Sequence, residues 1–389
     1  MNLTLSEEQS AVIEIARKYA ESELSPVAAR LDIGVNKEGD RMLFLKNLQG
    51  LAELGFMGMN VKADYGGCEA GTVAFSLAIT EIARACASTA VTMSVTNMVG
   101  EVIQTIASEE QKNTYLPKLC SGEYAAGSFC LSEASAGSDP SRMKTSAVKI
   151  GDEWVLNGTK MWVSSAEYAG IFVVWAVTNS KVKKGKGISC FLVEADSPGI
   201  TISKAEDKMG QRASSTNQVI FEDCRIPESD LMGKLNDGFR IAMSELAGGR
   251  IGVGSLALGI GLAAMDYARL YTIEREQFGA SIASMQGPQW MMVNAYTQLE
   301  ASRLLLMSAA SNKERGVPFS KQASMAKLHV TETANQVCYT AIQLMGGLGY
   351  TKEVPLERFA RDVRVTSIYE GTSEVQRVII ARELLAEIQ

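Results

Sequence analysis

Along this sequence the spacing of apolar side chains changes twice, and those changes limit the folds open to it. Residues 1 to about 125 follow helical spacing, as in LFLKNLQGLAELG (43–55) and AFSLAITEIARACA (74–87), with the loop VKADYGGCEAG between them. From about 126 to 233 the pattern shortens to β-rich runs: DEWVLNGTKMWVSS, IFVVWAV, ISCFLVEA and NQVIFEDCRI. Helical spacing returns from 234 in four long segments. The clearest is residues 289–316, whose apolar residues recur at three and four and whose basic last turn precedes Gly316. The predicted fold class is therefore α+β, mainly α: an N-terminal helical domain (1–125), a middle β domain (126–233) and a C-terminal four-helix bundle (234–389). Locally, Asn157-Gly158 predicts a hairpin turn, Thr4 and Glu7 a capping box on the first helix, and KVKKGKG (181–187) an exposed loop.

Composition narrows function by exclusion. The net charge is −6 and basic residues are scattered, so the electrostatic footprint of a nucleic-acid partner is missing. The N-terminus lacks a basic stretch followed by an apolar one, which argues against a signal peptide. Residues 170–177 and 251–264, the most apolar stretches, are too short or too glycine-rich for membrane insertion. Seven cysteines without a CxxC pair read as buried thiols in a reducing compartment, and the expected location is cytoplasmic. The single histidine, His329, reads as a packing or surface residue on a helix. Ser-His-Asp and Cys-His catalysis would both rest on that one ring, and no metal site is expected.

Two glycine-rich stretches invite a nucleotide reading, and neither sustains it. Gly252, Gly254, Gly259 and Gly261 in RIGVGSLALGIG lack GxGxxG spacing and a preceding strand, so close helix packing explains them better. GGLGYTKE, beginning at Gly346, reads as a helix C-terminus. The informative segment is RDVRVTSIYEGTSEVQRVIIARELLAEIQ (361–389). There Glu370 precedes Gly371 and a helix capped by Ser373 and Gln376, which puts an acid in a tight loop beside free N–H groups. Gly371 lets a ligand approach the backbone. Such a carboxylate is either a catalytic base or an ordinary cap or ion-pair partner of Arg361 or Arg364; the local pattern leaves both open.

Tyr369-Glu370-Gly371-Thr372, with Arg382 on the helix that follows, resembles the active-site signature of the acyl-CoA dehydrogenase family. FCLSEASAGSD (129–139) and GTKMWVSSA (158–166) resemble its two flavin segments. REQFG (275–279), Gln286 and QLMGG (343–347) resemble segments that the family contributes across a subunit interface. These landmarks run in family order over nearly the whole chain.

The resemblance implies an FAD enzyme that dehydrogenates a saturated acyl-CoA thioester to the trans-2-enoyl-CoA and passes electrons to an electron-transferring flavoprotein. It also implies a homotetramer, a dimer of dimers. Glu370 would take the α proton and FAD the β hydride, with the thioester oxygen on the Glu370 N–H and burial raising the Glu370 pKa toward neutrality. Flavin contacts would fall to Phe129, Leu131, Ser132, Gly137, Ser138, Trp162, Ser164, Thr372 and Glu374. A neighbouring subunit's Arg275, Gln277, Phe278, Gln286, Gln343, Gly346 and Gly347 would hold the adenine-dinucleotide half. Ser138, Arg250, Gly371 and Arg382 would meet the acyl-CoA, and residues 93–104 would line the acyl pocket. Some relatives carry the base just before the Arg250 position; Gly249 stands there, which leaves Glu370.

Departures from the family pattern bear on the substrate. Ala247 replaces a usual acidic residue, Ala134-Ser135 replaces Pro-Gly, and Phe129 replaces Tyr. Small residues at 247–249 leave room for a branched or alicyclic acyl group rather than a straight one, and the expected substrate is a short, branched or alicyclic acyl-CoA, for example butyryl-CoA or cyclohexanecarboxyl-CoA. Two alternatives are a flavin acyl-CoA oxidase, against which chain length argues, and a non-catalytic acyl-CoA-binding flavoprotein, against which Glu370 argues.

Overall fold

The first helix starts from Ser6. In this computed structural model, which describes residues 4–34 and 38–387, Ser6 Oγ accepts from Gln9 N and the Gln9 side chain accepts from Ser6 N, both at 3.1 Å. This capping box replaces the expected Thr4–Glu7 pair. Glu7 instead falls with Glu8 in the first turn of α1 (Glu7–Tyr19), where negative charge favours the helix end. Then come α2 (Ser25–Ile33), α3 (Glu38–Glu53), α4 (Gly71–Ala85), α5 (Ala87–Ile106) and α6 (Glu109–Ser121). Helices α4 and α5 are buried along most of their length and carry the core toward the C-terminal helices.

Eight strands form one sheet: β1 (Ala126–Cys130), β2 (Ser146–Ile150), β3 (Glu153–Ser164), β4 (Ala169–Val177), β5 (Ile188–Glu194), β6 (Ile200–Ile202), β7 (Thr216–Pro227) and β8 (Leu231–Met232). Their order is β6-β7-β3-β2-β4-β5-β8, with β1 parallel to β4. Asn157-Gly158 is not a turn. It lies inside β3, where the register against β7 slips between Leu156 and Gly158, and Asn157 exchanges hydrogen bonds with Asp223 at 2.8 and 3.0 Å. A β-carbon on Gly158 would fall 2.6 Å from Thr145 Cα, so close strand approach requires the glycine. The turn joining β2 to β3 is Gly151-Asp152, with Gly151 at φ 63°. The 181–187 loop is exposed at Val182 and at its lysines, as expected, while Gly185 is half-buried and Gly187 buried.

The remaining elements are α7 (Gly238–Glu274), the two-residue strands β9 (Glu276–Gln277) and β10 (Ala280–Ser281), α8 (Gln286–Glu314), α9 (Ser320–Met345), α10 (Leu356–Arg364) and α11 (Ser373–Ala386). Helix α7 is long and apolar enough to cross a membrane, yet most of that stretch is buried among α4, α5, α8 and α9. Its glycines permit that closeness: β-carbons on Gly252 and Gly259 would each lie 2.2 Å from a neighbour, Ser94 Oγ and Thr80 O respectively. Six cysteines are buried as expected, whereas Cys68 is exposed in the 61–71 loop. His329 lies on α9 near Leu305, Met325 and Leu328, with Nε2 buried and without a hydrogen-bond partner among the described residues.

Candidate active site

The loop before α11 holds two consecutive residues in left-handed backbone, Glu370 at φ 51° and Gly371 at φ 90°. For Glu this conformation costs on the order of 1 kcal/mol and persists only where surroundings impose it. Lys327 imposes it from α9. Its Nζ donates to Tyr369 O at 3.0 Å and to Gly371 O at 2.6 Å, bracketing Glu370. Gln376 Nε2 adds bonds to Gly371 O (2.8 Å) and Glu370 O (3.3 Å). Gln376 is thus a loop clamp rather than part of a cap. The N-cap is Thr372, whose Oγ1 accepts from Val375 N, while Ser373 Oγ donates to Glu332 at 2.5 Å. On the other side, Gln211 Nε2 donates to Tyr369 OH (3.3 Å) and Asp362 O (3.0 Å).

The Glu370 side chain points at helix α7. A β-carbon on Gly249 would stand 2.0 Å from Glu370 Oε2 and 2.8 Å from Met98 Sδ. Oε2 is buried without a hydrogen-bond partner among the described residues. Burial pushes the carboxyl up to about 7, and the charges of Lys327 and Arg250 draw it back only in part. The arginines considered from sequence lie elsewhere. Arg361 pairs with Asp32 (2.6 Å) and Glu357 (2.7 Å), and Arg364 donates to Ser367 Oγ. Arg250 is buried beside the loop; one nitrogen donates to Ser324 Oγ at 3.2 Å and Nε has no partner among the described residues.

The two segments that resemble flavin segments are brought side by side. Ser128 Oγ donates to Ser164 O (2.7 Å) and Met161 N to Ser132 O (2.9 Å). Lys160, fully buried, donates to Leu131 O (3.2 Å) and Glu133 Oε1 (2.9 Å). Trp162 is held at φ 61° with its indole exposed, Gly137 and Ser138 are exposed, Phe129 packs on Trp175, and the Leu131 side chain is buried. Glu374 lies exposed in the first turn of α11 and Arg382 further along it.

A third set stands apart. Arg275 caps the end of α7, Gln277 and Phe278 lie on the β9–β10 hairpin, Gln286 opens α8, Gln343 lies in the last turn of α9, and Gly346 and Gly347 follow it. All are exposed, Phe278 by 98%, and none hydrogen-bonds to the Glu370 loop among the described residues. Sequence reasoning missed Lys327, Gln376 as a clamp, and the Lys160–Glu133 pair, whereas Met98 falls in the 93–104 stretch expected at the acyl pocket. The available signal for Lys327 is its place on the buried stripe Ala323, Ala326, Val330, Ala334, where a lysine needs partners.

A flavin fits these residues. An indole held outward beside Ser164 offers a face to a planar ring. No atom lies within 4 Å of the β-carbon positions of Gly137, Gly279, Gly287, Gly346 and Gly347, so a dinucleotide can meet bare backbone there.

Three domain families match in order: Acyl-CoA dehydrogenase, N-terminal domain over residues 6–123, middle domain over 128–224 and C-terminal domain over 236–385. Acryloyl-CoA reductase (NADH) of Anaerotignum propionicum is 41% identical over 99% of this chain and 96% of its own length. The mitochondrial short-chain specific acyl-CoA dehydrogenase of Mus musculus is 42% identical over 99% and 92%. Among solved structures, butyryl-CoA dehydrogenase from Megasphaera elsdenii superposes with a TM-score of 0.94 at 35% identity, over 99% of this chain and 100% of that one. A chain in a structure of the electron transferring flavoprotein of Acidaminococcus fermentans gives 0.95 at 39% identity, over 99% and 100%. The chain therefore belongs to the acyl-CoA dehydrogenase family, oxidoreductases acting on CH–CH bonds with FAD as cofactor.

Proposed function

We propose that this enzyme oxidises a short acyl-CoA thioester to its 2-enoyl-CoA with Glu370 as the base. The supporting observation is the buried, unpartnered Glu370 carboxylate in the space left by Gly249. Its elevated pKa suits a group that must accept a weakly acidic α proton near neutral pH. The Glu370 N–H makes no hydrogen bond among the described residues and is free to donate to the thioester oxygen as negative charge develops there. Lys327 and Gln376 hold that N–H and the carboxylate in one fixed loop. Bound FAD supplies the acceptor for the β hydride.

In this reading Phe129, Leu131, Ser132, Gly137, Ser138, Trp162, Ser164, Thr372 and Glu374 border the flavin. Ser138, Arg250, Gly371 and Arg382 face the acyl-CoA. The exposed set at 275–286 and 343–347 serves the cofactor of a neighbouring subunit in a tetramer. The chain divides near residues 125 and 233, and electrons leave to an electron-transferring flavoprotein, consistent with the Acidaminococcus likeness. The relative named acryloyl-CoA reductase supports a second reading, reduction of an enoyl-CoA by the same residues.

Anaerobic titration of the yellow holoenzyme tests both. Butyryl-CoA should bleach the flavin absorbance, and crotonyl-CoA should restore it. Glu370→Gln should bind butyryl-CoA without bleaching; a variant that bleaches at the native rate would rule out Glu370.

A further inference from the structure

We propose that Glu245 determines acyl specificity, and that the pocket takes a short acyl chain ending in a neutral hydrogen-bond donor, such as a hydroxyl. This deepens the reading of Glu370 as base and rests on it. Three observations place the polar cluster beside the reacting end. Glu245 lies one helical turn, a rise of about 6 Å, before Gly249 on α7, the residue whose missing side chain admits the Glu370 carboxylate. A β-carbon on Gly248, between them, would lie 3.0 Å from Lys313 Nζ and 3.5 Å from Glu101 Oε2. Met98, against Gly249, and Glu101 stand three residues apart on α5, so both helices run from the base to this cluster.

The cluster is incomplete without a ligand. Lys313 and Glu101 satisfy one another at 2.6 Å, and Asn60 Nδ2 donates to the other Glu101 oxygen. Glu245 is only 9% exposed and makes no hydrogen bond or ion pair among the described residues. Burial and the Glu101 charge push its carboxyl up to about 7, and the Lys313 charge draws it back only in part. Asn60 Oδ1 is likewise buried with no donor among the described residues. A buried acceptor left without a donor is costly, and a hydroxyl at the chain's end relieves that cost. A terminal methyl leaves Glu245 and Asn60 Oδ1 without a donor. A terminal carboxylate meets Glu101 and Glu245, and Lys313 beside them is already neutralised by Glu101.

The test uses the native holoenzyme under anaerobic conditions and compares kcat/KM for flavin bleaching with butyryl-, hexanoyl-, 5-hydroxypentanoyl- and glutaryl-CoA. The hydroxyl compound replaces the terminal methyl of hexanoyl by OH. It should be preferred over hexanoyl-CoA by at least about tenfold, with glutaryl-CoA the slowest. Glu245→Leu should reverse the hydroxyl-to-methyl preference, and Glu245→Gln, which keeps a hydrogen-bonding group, should retain it. Butyryl-CoA bleaching combined with a native preference for hexanoyl- over 5-hydroxypentanoyl-CoA would overturn this inference alone, whether or not the leucine variant folds. An unreversed preference in a folded, flavin-loaded Glu245→Leu would overturn it too. No bleaching with any of the four would instead overturn the Glu370 reading and this inference with it.

Discussion

Gly249 and Glu370 compete for one space: a β-carbon on the glycine would lie 2.0 Å from Oε2 of the carboxylate. Helix α7 can therefore carry a side chain at this position, or the loop before α11 can project an acid into it, but not both. The relation converts an absence in the sequence into a positive requirement of the site.

Gly249→Ala should separate rate from stability. The added methyl pushes the carboxylate away, and a shift of about 1 Å at a reacting group lowers the rate roughly 100-fold. Alanine in a helix interior gains about 1 kcal/mol over glycine, which offsets strain against the movable ends of Glu370 and Met98. Stopped-flow flavin reduction should fall sharply while the thermal midpoint changes little. An unchanged rate would mean that the working carboxylate lies elsewhere.

The pH dependence of Glu370 has opposite signs for rate and stability. Burial raises its carboxyl from an ordinary 4.5 to about 7. Proton abstraction needs the ionised form, so flavin reduction should climb with pH and level off above about 7. Folding favours the protonated form, so between 4.5 and 7 the native state holds a proton that the unfolded chain has lost. Stability then declines across that window, by on the order of 3 kcal/mol for this group once it is complete. Glu370→Gln should unfold at a higher temperature than the native enzyme at pH 8, with the difference shrinking toward pH 5. Equal midpoints at both pH values would show that the carboxyl is not desolvated.

The layout was legible because helical and strand periodicities are local properties, and each long run was consistent over many residues. The α7 glycines were legible too, since their spacing lacks a nucleotide pattern. What sequence misjudged were choices between overlapping local signals. Thr4, Ser6, Thr372 and Ser373 all offer cap chemistry, and the decision at α11 falls to the carbonyls of Glu370 and Gly371, which claim Gln376. Asn157-Gly158 carries turn chemistry that serves equally for a bulge, and the partner strand β7, some 66 residues away at Asp223, settles it. Lys327 is separated from the carbonyls it holds by 42 and 44 residues, a relation that no spacing rule encodes.

Lys327→Met should loosen the base without emptying the flavin site. The change leaves the carbonyls of Tyr369 and Gly371 without their donor and removes a positive charge that lowers the Glu370 pKa. The rate should drop by about 10- to 100-fold, and the rising limb of the pH–rate profile should move to higher pH. FAD content should stay near native, because Lys327 bonds to neither flavin-like segment. A pH–rate profile that keeps its native midpoint would argue against electrostatic contact between Lys327 and Glu370.

Lys160 and Glu133 should behave as a coupled pair. Lys160 Nζ bonds to Glu133 and to the Leu131 carbonyl, while the Glu133 oxygens also accept from Lys144 N (2.6 Å) and Thr145 N (2.9 Å). Burial opposes the charge on Lys160 and the carboxylate favours it, so each ion depends on the other. Glu133→Gln strands a buried ammonium and Lys160→Met strands a buried carboxylate. Each should destabilise by about 3–5 kcal/mol and weaken FAD retention, since the 129–139 and 158–166 segments would keep only their other hydrogen bonds, such as Met161 N to Ser132 O. The double variant leaves no unpaired ion, so its loss should be smaller than the sum of the two singles by more than about 1 kcal/mol. Denaturant unfolding of the four proteins, read beside their flavin absorbance, measures that coupling. Additive losses would mean that the two charges are solvated separately and that backbone contacts alone join the segments.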